Sequence, residues 1–85
     1  MKLTQTEKTW LNRLQTVLNE CPSGRIGFYT IGDASLNLYD RRKEDKIGEF
    51  QDGPRGMDFC GAVRAAKAEI DADLSFPANI HSTAG

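Results

Sequence analysis

The sequence predicts an α+β fold, a two-layer sandwich with the element order α-β-β-β-α in which two helices pack on one face of a small antiparallel sheet. Three observations predict it. Apolar residues recur at helical spacing over 4–21, alternate as in paired strands over 25–40, and return to helical spacing over 58–74. Because a hairpin or three-stranded meander has a face to bury, two amphipathic helices can supply the second layer.

The first predicted helix has the clearest pattern. Its apolar side chains follow the steps of one helical face: Trp10, Leu14, Val17, Leu18 and Cys21. Thr4 and Glu7 fit a capping box at its start, and Pro22-Ser23-Gly24 ends it. We expect Trp10 to be the centre of the core, in contact with apolar residues of the helices and strands: Leu14, Phe28, Val63 and Ile70.

Residues 25–40 predict a β-hairpin. Ile26, Phe28 and Thr30 alternate with their neighbours, Leu36 and Leu38 do the same, and the small, polar run 32–35 supplies the turn. The fully charged stretch 40–46 predicts a solvated loop or turn. Residues 46–51 favour a third strand, although the three-residue spacing of Ile47 and Phe50 equally suits a helical turn.

The second predicted helix covers residues 58–74. Its apolar positions recur at helical steps through an alanine-rich segment: Phe59, Val63, Ala66, Ile70 and Leu74. Asp58 is the expected N-cap, and Ser75-Phe76-Pro77 ends the helix. We therefore predict one α+β domain over 1–75 and a flexible C-terminal tail over 76–85.

Helices on one face of the sheet leave the opposite face exposed. We expect Ile26, Phe28, Leu36 and Leu38 to face the helices, which places alternate residues of the hairpin on the outer face. Aromatic and arginine side chains are typical anchors of protein interfaces. The predicted partner-binding residues on this face are Tyr29, Ile31, Tyr39, Arg41 and Arg42. The expected partner is another protein or a second copy, in a homodimer.

The composition and charge of the sequence argue against several classes of function. Eleven Lys/Arg against twelve Asp/Glu give a formal net charge of −1, which favours neither nucleic acid nor a membrane surface over the whole molecule. No apolar run approaches the ~20 residues of a membrane span. This lack of a span, together with first residues that form no signal-peptide hydrophobic region, predicts a cytoplasmic location. Two isolated cysteines, Cys21 and Cys60, predict reduced thiols and no metal site. The single histidine, His81, lies near the end of the sequence, and we predict a protein without enzymatic activity or cofactor.

Nucleic-acid binding is the alternative. Gly53-Pro54-Arg55-Gly56 precedes a predicted helix, so Arg55 and Gly56 are an anion-binding candidate, although Pro54 offers no amide and Asp58 repels anions. The α-β-β-β-α order is also similar to that of the double-stranded-RNA-binding domain. Residues 56–61 lack the lysines with which that family contacts phosphates, so the resemblance implies topology alone.

A second resemblance concerns the hairpin. The run from Gly27 to Asp40, GFYTIGDASLNLYD, resembles small accessory proteins of enterobacterial phages and prophages. Such proteins commonly dock on a host or phage macromolecule and inhibit or retarget it. The resemblance therefore implies the same kind of function as the predicted outer face, namely a small non-enzymatic interaction module.

Overall fold

The computed structural model describes residues 1–81, which form helices and one antiparallel sheet. The elements in chain order are α1 (Gln5–Asn19), β1 (Ile26–Tyr29), β2 (Ser35–Asp40), a 3-10 turn (Arg41–Lys43), α2 (Glu44–Asp52), α3 (Phe59–Ala65) and β3 (Glu69–Ser75). The α+β fold class predicted from the sequence is confirmed.

The sheet has β2 at its centre, with β1 and β3 antiparallel on either side. Phe28 lies opposite Leu38, and Leu36 lies opposite Leu74. The register between β2 and β3 is irregular between Asn37 and Tyr39. The hairpin predicted over 25–40 is therefore confirmed, and the third strand of the sheet is β3.

Two helices cover one face of this sheet. The core is small, and its buried hydrophobic side chains come from α2, α3 and the turn that follows α3: Ile47, Ala62, Val63, Ala66 and Ala68. Aromatic side chains of the sheet and of α3 pack against this cluster. The predicted arrangement of two helices on one face is confirmed, but the helices are α2 and α3.

The segment 46–51 is helical, so the favoured strand assignment is wrong. Ile47 is 2% exposed and Phe50 packs against the core from the same helix, which is the spacing of one helical turn. Glu44 and Asp45 lie in the first turn, where carboxylates are stabilised by the helix dipole. Burial on one face thus decides between the two alternatives that the sequence left open.

The helix predicted over 58–74 ends early, and its second half is a strand. Asp58 caps α3 as predicted, accepting from the Gly61 amide at 2.8 Å. Lys67 then adopts a left-handed conformation, with φ at 56°. The Lys67 and Ala68 amides donate to the carbonyls of Arg64 and Val63, which is the Schellman pattern of a helix end. The element order therefore departs from α-β-β-β-α in its second half.

Helix α1 begins at the predicted capping box but packs differently from the prediction. Glu7 donates its amide to the Thr4 hydroxyl and accepts from the Thr4 amide. No residue of α1 is buried by any described part of the chain, and Trp10 is 54% exposed. The expectation that Trp10 is the centre of the core is wrong, because α2 and α3 fill that place.

The last described residues run along the end of the hairpin. The Phe76 amide donates to the Ala34 carbonyl, and the Ile80 amide donates to the Asp33 carbonyl, both at 2.7 Å. The predicted boundary at 75 coincides with the end of β3. Of the predicted flexible tail 76–85, residues 82–85 lie outside the described residues.

Candidate functional site

The two tyrosines of the predicted docking surface lie on the covered face. Tyr29 and Tyr39 are partly buried, and their ring centroids lie 5.4 Å and 5.2 Å from that of Phe59 in α3. Burial raises the pKa of both phenols above the ordinary value, and the Cys60 thiol adds to the effect at Tyr29. The predicted assignment of sheet faces is therefore reversed.

Gly27 explains why the tyrosine face is the covered one. It is buried, and it lies opposite Tyr39 in the register. A β-carbon at position 27 would overlap the Tyr39 ring. The ring therefore lies over the bare backbone of β1, which flattens this face enough for Phe59 and α3 to approach.

The opposite face of the sheet is apolar and has no helix over it within the described chain. We call it the open face, and it consists of six side chains: Ile26, Phe28, Leu36, Leu38, Ile70 and Leu74. Phe28 is 45% exposed and Leu74 is 44% exposed. Every strand contributes to this surface, so it is continuous across the sheet.

One end of the open face carries an ion pair. The Arg42 guanidinium donates to both carboxylate oxygens of Asp40, at 2.9 Å and 2.8 Å. These hydrogen bonds lower the pKa of Asp40 to about 2. Asp40 and Arg42 line a groove with Ile26 and Ile70, so Arg42 rims the open face and not the tyrosine face on which it was expected.

Of the other predicted partner-binding residues, Arg41 lies beside Arg42 in the lining of a shallow cavity. The Arg41 side chain donates to Glu44 at 2.7 Å and to the Gly24 carbonyl at 3.2 Å. Ile31 lies beyond the end of β1 and is exposed. The structure therefore does not bring Tyr29, Ile31, Tyr39, Arg41 and Arg42 together on one surface.

The candidate anion-binding loop forms a turn between α2 and α3. The Gly56 amide donates to the Gly53 carbonyl and the Met57 amide to the Phe50 carbonyl. Asp58 places its own carboxylate at the start of α3. These bonds use amides that an anion would need, while Arg55 is exposed. Anion binding at Arg55 and Gly56 stays a prediction.

Helix α1 presents a second uncovered apolar surface, which we call the α1 stripe. It comprises five side chains that are each more than a third exposed: Trp10, Leu11, Leu14, Val17 and Leu18. The helical spacing of this stripe predicts a place in the core, and the helical spacing over 58–74 conceals Ile70 and Leu74 as members of the sheet. The signal that identifies them is the alternation of acidic and apolar residues over 69–74.

Comparison with known proteins finds no match. No family model matches the chain, and searches among curated proteins and solved structures give no significant match. Within residues 1–81, none of the helices combines the length and hydropathy that a bilayer crossing requires. In the same residues, His, Cys, Asp and Glu side chains do not come together in a group of three or more that could hold a metal ion.

Proposed function

We propose that this chain is a non-enzymatic interaction module that binds a protein through the open face of its sheet. The observation that supports the proposal is the continuous apolar surface that all the strands of the sheet build, with Phe28 and Leu74 nearly half exposed. A small monomer rarely leaves such a patch in water without a binding role.

The chemistry of the open face favours a protein over nucleic acid. Its middle consists of aliphatic and aromatic side chains, and the Asp40–Arg42 pair lies at one end. Protein interfaces have the same arrangement of an apolar centre and a polar rim. The charged side chains that line the groove at this end nearly balance: Arg25, Arg42, Lys67, Asp40 and Glu69. Arg42 also pairs with Asp40, so little positive charge is left for phosphates. The alternative of a domain like those that bind double-stranded RNA loses support, because the described chain has a strand where that topology ends in a helix.

The proposal also includes the setting expected from the sequence. Both cysteines are free thiols, which suits the reducing cytoplasm. A docking role on a host or phage macromolecule agrees with the resemblance of residues 27–40 to phage accessory proteins. The proposed interaction requires neither a cofactor nor a catalytic group.

A pair of matched variants tests the proposal. Phe28→Asp places a charge on the open face, and Ser75→Asp places the same charge on an exposed strand position of the other face. Sedimentation velocity reports self-association, and tagged chains capture partners from source-cell extract. We expect any association of the wild type to survive in Ser75→Asp and to be lost in Phe28→Asp.

Two results contradict the proposal. One is a Phe28→Asp chain that associates as the wild type does. The other is a wild type that stays monomeric and captures no protein. The salt dependence of binding distinguishes protein binding from the nucleic-acid alternative. Phosphate contacts weaken steeply between ~50 and ~200 mM salt, whereas apolar contacts change little.

A further inference from the structure

We propose that the occupant of the open face is helix α1 of a second copy of this chain. In this dimer the two copies exchange their first helices, and each α1 stripe packs across the partner's sheet around a two-fold axis. The inference rests on the proposed function, since it names the partner that the open face binds.

The two uncovered surfaces match in chemistry and size. Both are apolar, and each carries one large aromatic side chain, Trp10 on the α1 stripe and Phe28 on the open face. A helix of 15 residues is about 22 Å long. Strands of four to seven residues span roughly 13–23 Å. One α1 therefore covers one sheet, which is how an amphipathic helix and a half-covered sheet usually bury each other.

The connection between α1 and β1 is ordered by hydrogen bonds, and α1 makes no extensive contact with the sheet. The Cys21 amide donates to the Leu18 carbonyl, and the Arg25 amide donates to the Ser23 hydroxyl. Arg41, anchored by Glu44, donates to the Gly24 carbonyl. The radius of gyration is 15.6 Å, against about 12 Å for a compact chain of this length. Exchange of an identical element between two copies is a low-cost route to a dimer, and an extended α1 is available for it.

The area of the two surfaces suffices for a stable dimer. The exposed parts of the apolar side chains on both surfaces of both copies amount to on the order of 1,500 Å², by the scale of buried aromatic and aliphatic side chains, and stable interfaces bury roughly 1,200–2,000 Å². Pairing of α1 with α1 leaves both sheets uncovered. It also provides only about two heptads, fewer than the three or four of a typical coiled coil.

Complementation between two variants tests the exchange. Leu14→Lys disables the α1 stripe, and Phe28→Asp disables the open face. We expect each variant to be monomeric in sedimentation velocity at concentrations where the wild type is dimeric. Their equimolar mixture retains one intact stripe and one intact sheet, so we expect it to dimerise at least tenfold more tightly than either variant alone. The control Asn12→Lys, on the polar side of α1, should dimerise as the wild type does.

Disulfide trapping identifies which helix contacts which sheet. In a Cys21→Ser, Cys60→Ala background, we expect Val17→Cys chains mixed with Leu74→Cys chains to form a mixed disulfide. A disulfide between two Val17→Cys chains would overturn the exchange in favour of helix pairing. A disulfide within one monomeric Val17→Cys, Leu74→Cys chain would overturn it in favour of α1 on its own sheet. Circular dichroism of each variant checks that the fold is kept.

Failure of the exchange is distinguishable from failure of the proposed function. A monomeric wild type that captures another protein, and loses it in Phe28→Asp, refutes the exchange and supports the open face as a binding surface. A mixture of the Leu14→Lys and Phe28→Asp chains that stays monomeric while the wild type dimerises also refutes the exchange.

Discussion

Truncating Ile47 should destabilise the monomer far more than truncating Trp10. Ile47 is 2% exposed and Val63 fully buried, and the rest of the buried core consists of alanines. Ile47→Ala should therefore cost about 2–5 kcal/mol. A chain of this size has a free energy of unfolding of about 4–13 kcal/mol, so this is a large share of it. Trp10→Ala removes a side chain that is 54% exposed, and in the monomer it should cost within about 0.5 kcal/mol.

Urea titration followed by far-ultraviolet circular dichroism measures both losses. The titrations should be made at a protein concentration where sedimentation shows a monomer. At higher concentration, dimerisation stabilises the wild type by mass action. Trp10→Ala weakens the exchanged dimer and loses this extra stabilisation, whereas Ile47→Ala does not. If Trp10→Ala in the monomer costs as much as Ile47→Ala, then α1 packs on its own sheet and the placement of the core in α2 and α3 is refuted.

Three further substitutions test individual features of the fold. Gly27→Ala should lower the free energy of unfolding by about 1–3 kcal/mol in urea titration, because the added methyl overlaps the Tyr39 ring. An unchanged free energy would contradict the contact between the Tyr39 ring and the backbone of Gly27. Lys67→Gly should raise the free energy of unfolding by about 0.5–1 kcal/mol, because glycine adopts the left-handed conformation without strain. A lower free energy of unfolding would contradict the left-handed conformation of residue 67. The pKa of Asp40 is lowered to about 2 by hydrogen bonds from Arg42, so this pair stabilises the fold above the ordinary carboxyl pKa of ~3.9 and the stabilisation is lost as pH falls toward 2. Thermal melts from pH 5 to 2 should show a steeper fall of the melting temperature in the wild type than in Asp40→Asn. Equal falls in the two proteins would contradict a stabilising Asp40–Arg42 pair.

Local signals in the sequence predicted the elements that they encode directly. The Thr4–Glu7 capping box marks the start of α1, and Asp58 marks the start of α3. The alternation over 25–40 predicted the hairpin. These signals succeed because capping and strand alternation depend on residues that are close in the chain.

The segment after α3 satisfies two periodicities, and the prediction of a helix there is wrong. Val63, Ile70 and Leu74 fit helical steps, whereas residues 69–74 alternate acidic and apolar. The left-handed residue that follows the helix is Lys67, a residue type that rarely adopts this conformation, so the usual glycine signal is missing. Pairing with β2 then makes the segment a strand, and such a long-range contact is invisible to local spacing.

The choice of sheet face also depended on packing. Both faces of the hairpin are apolar enough to be buried, so strand alternation alone does not decide which of them the helices cover. Gly27 was the deciding residue, since it admits the Tyr39 ring and lets α3 cover the tyrosine face. The exposed surface was therefore predicted to exist, but with the wrong residues on it.

Iodide quenching of Trp10 fluorescence over a range of protein concentrations tests most directly whether the open face is covered by α1 of a second copy. Trp10 is the single tryptophan and lies on the α1 stripe, so its emission reports that surface alone. We predict strong quenching in dilute wild type, severalfold weaker quenching in concentrated wild type, and strong quenching at every concentration in Phe28→Asp. Quenching of the wild type that does not change with concentration would contradict the account.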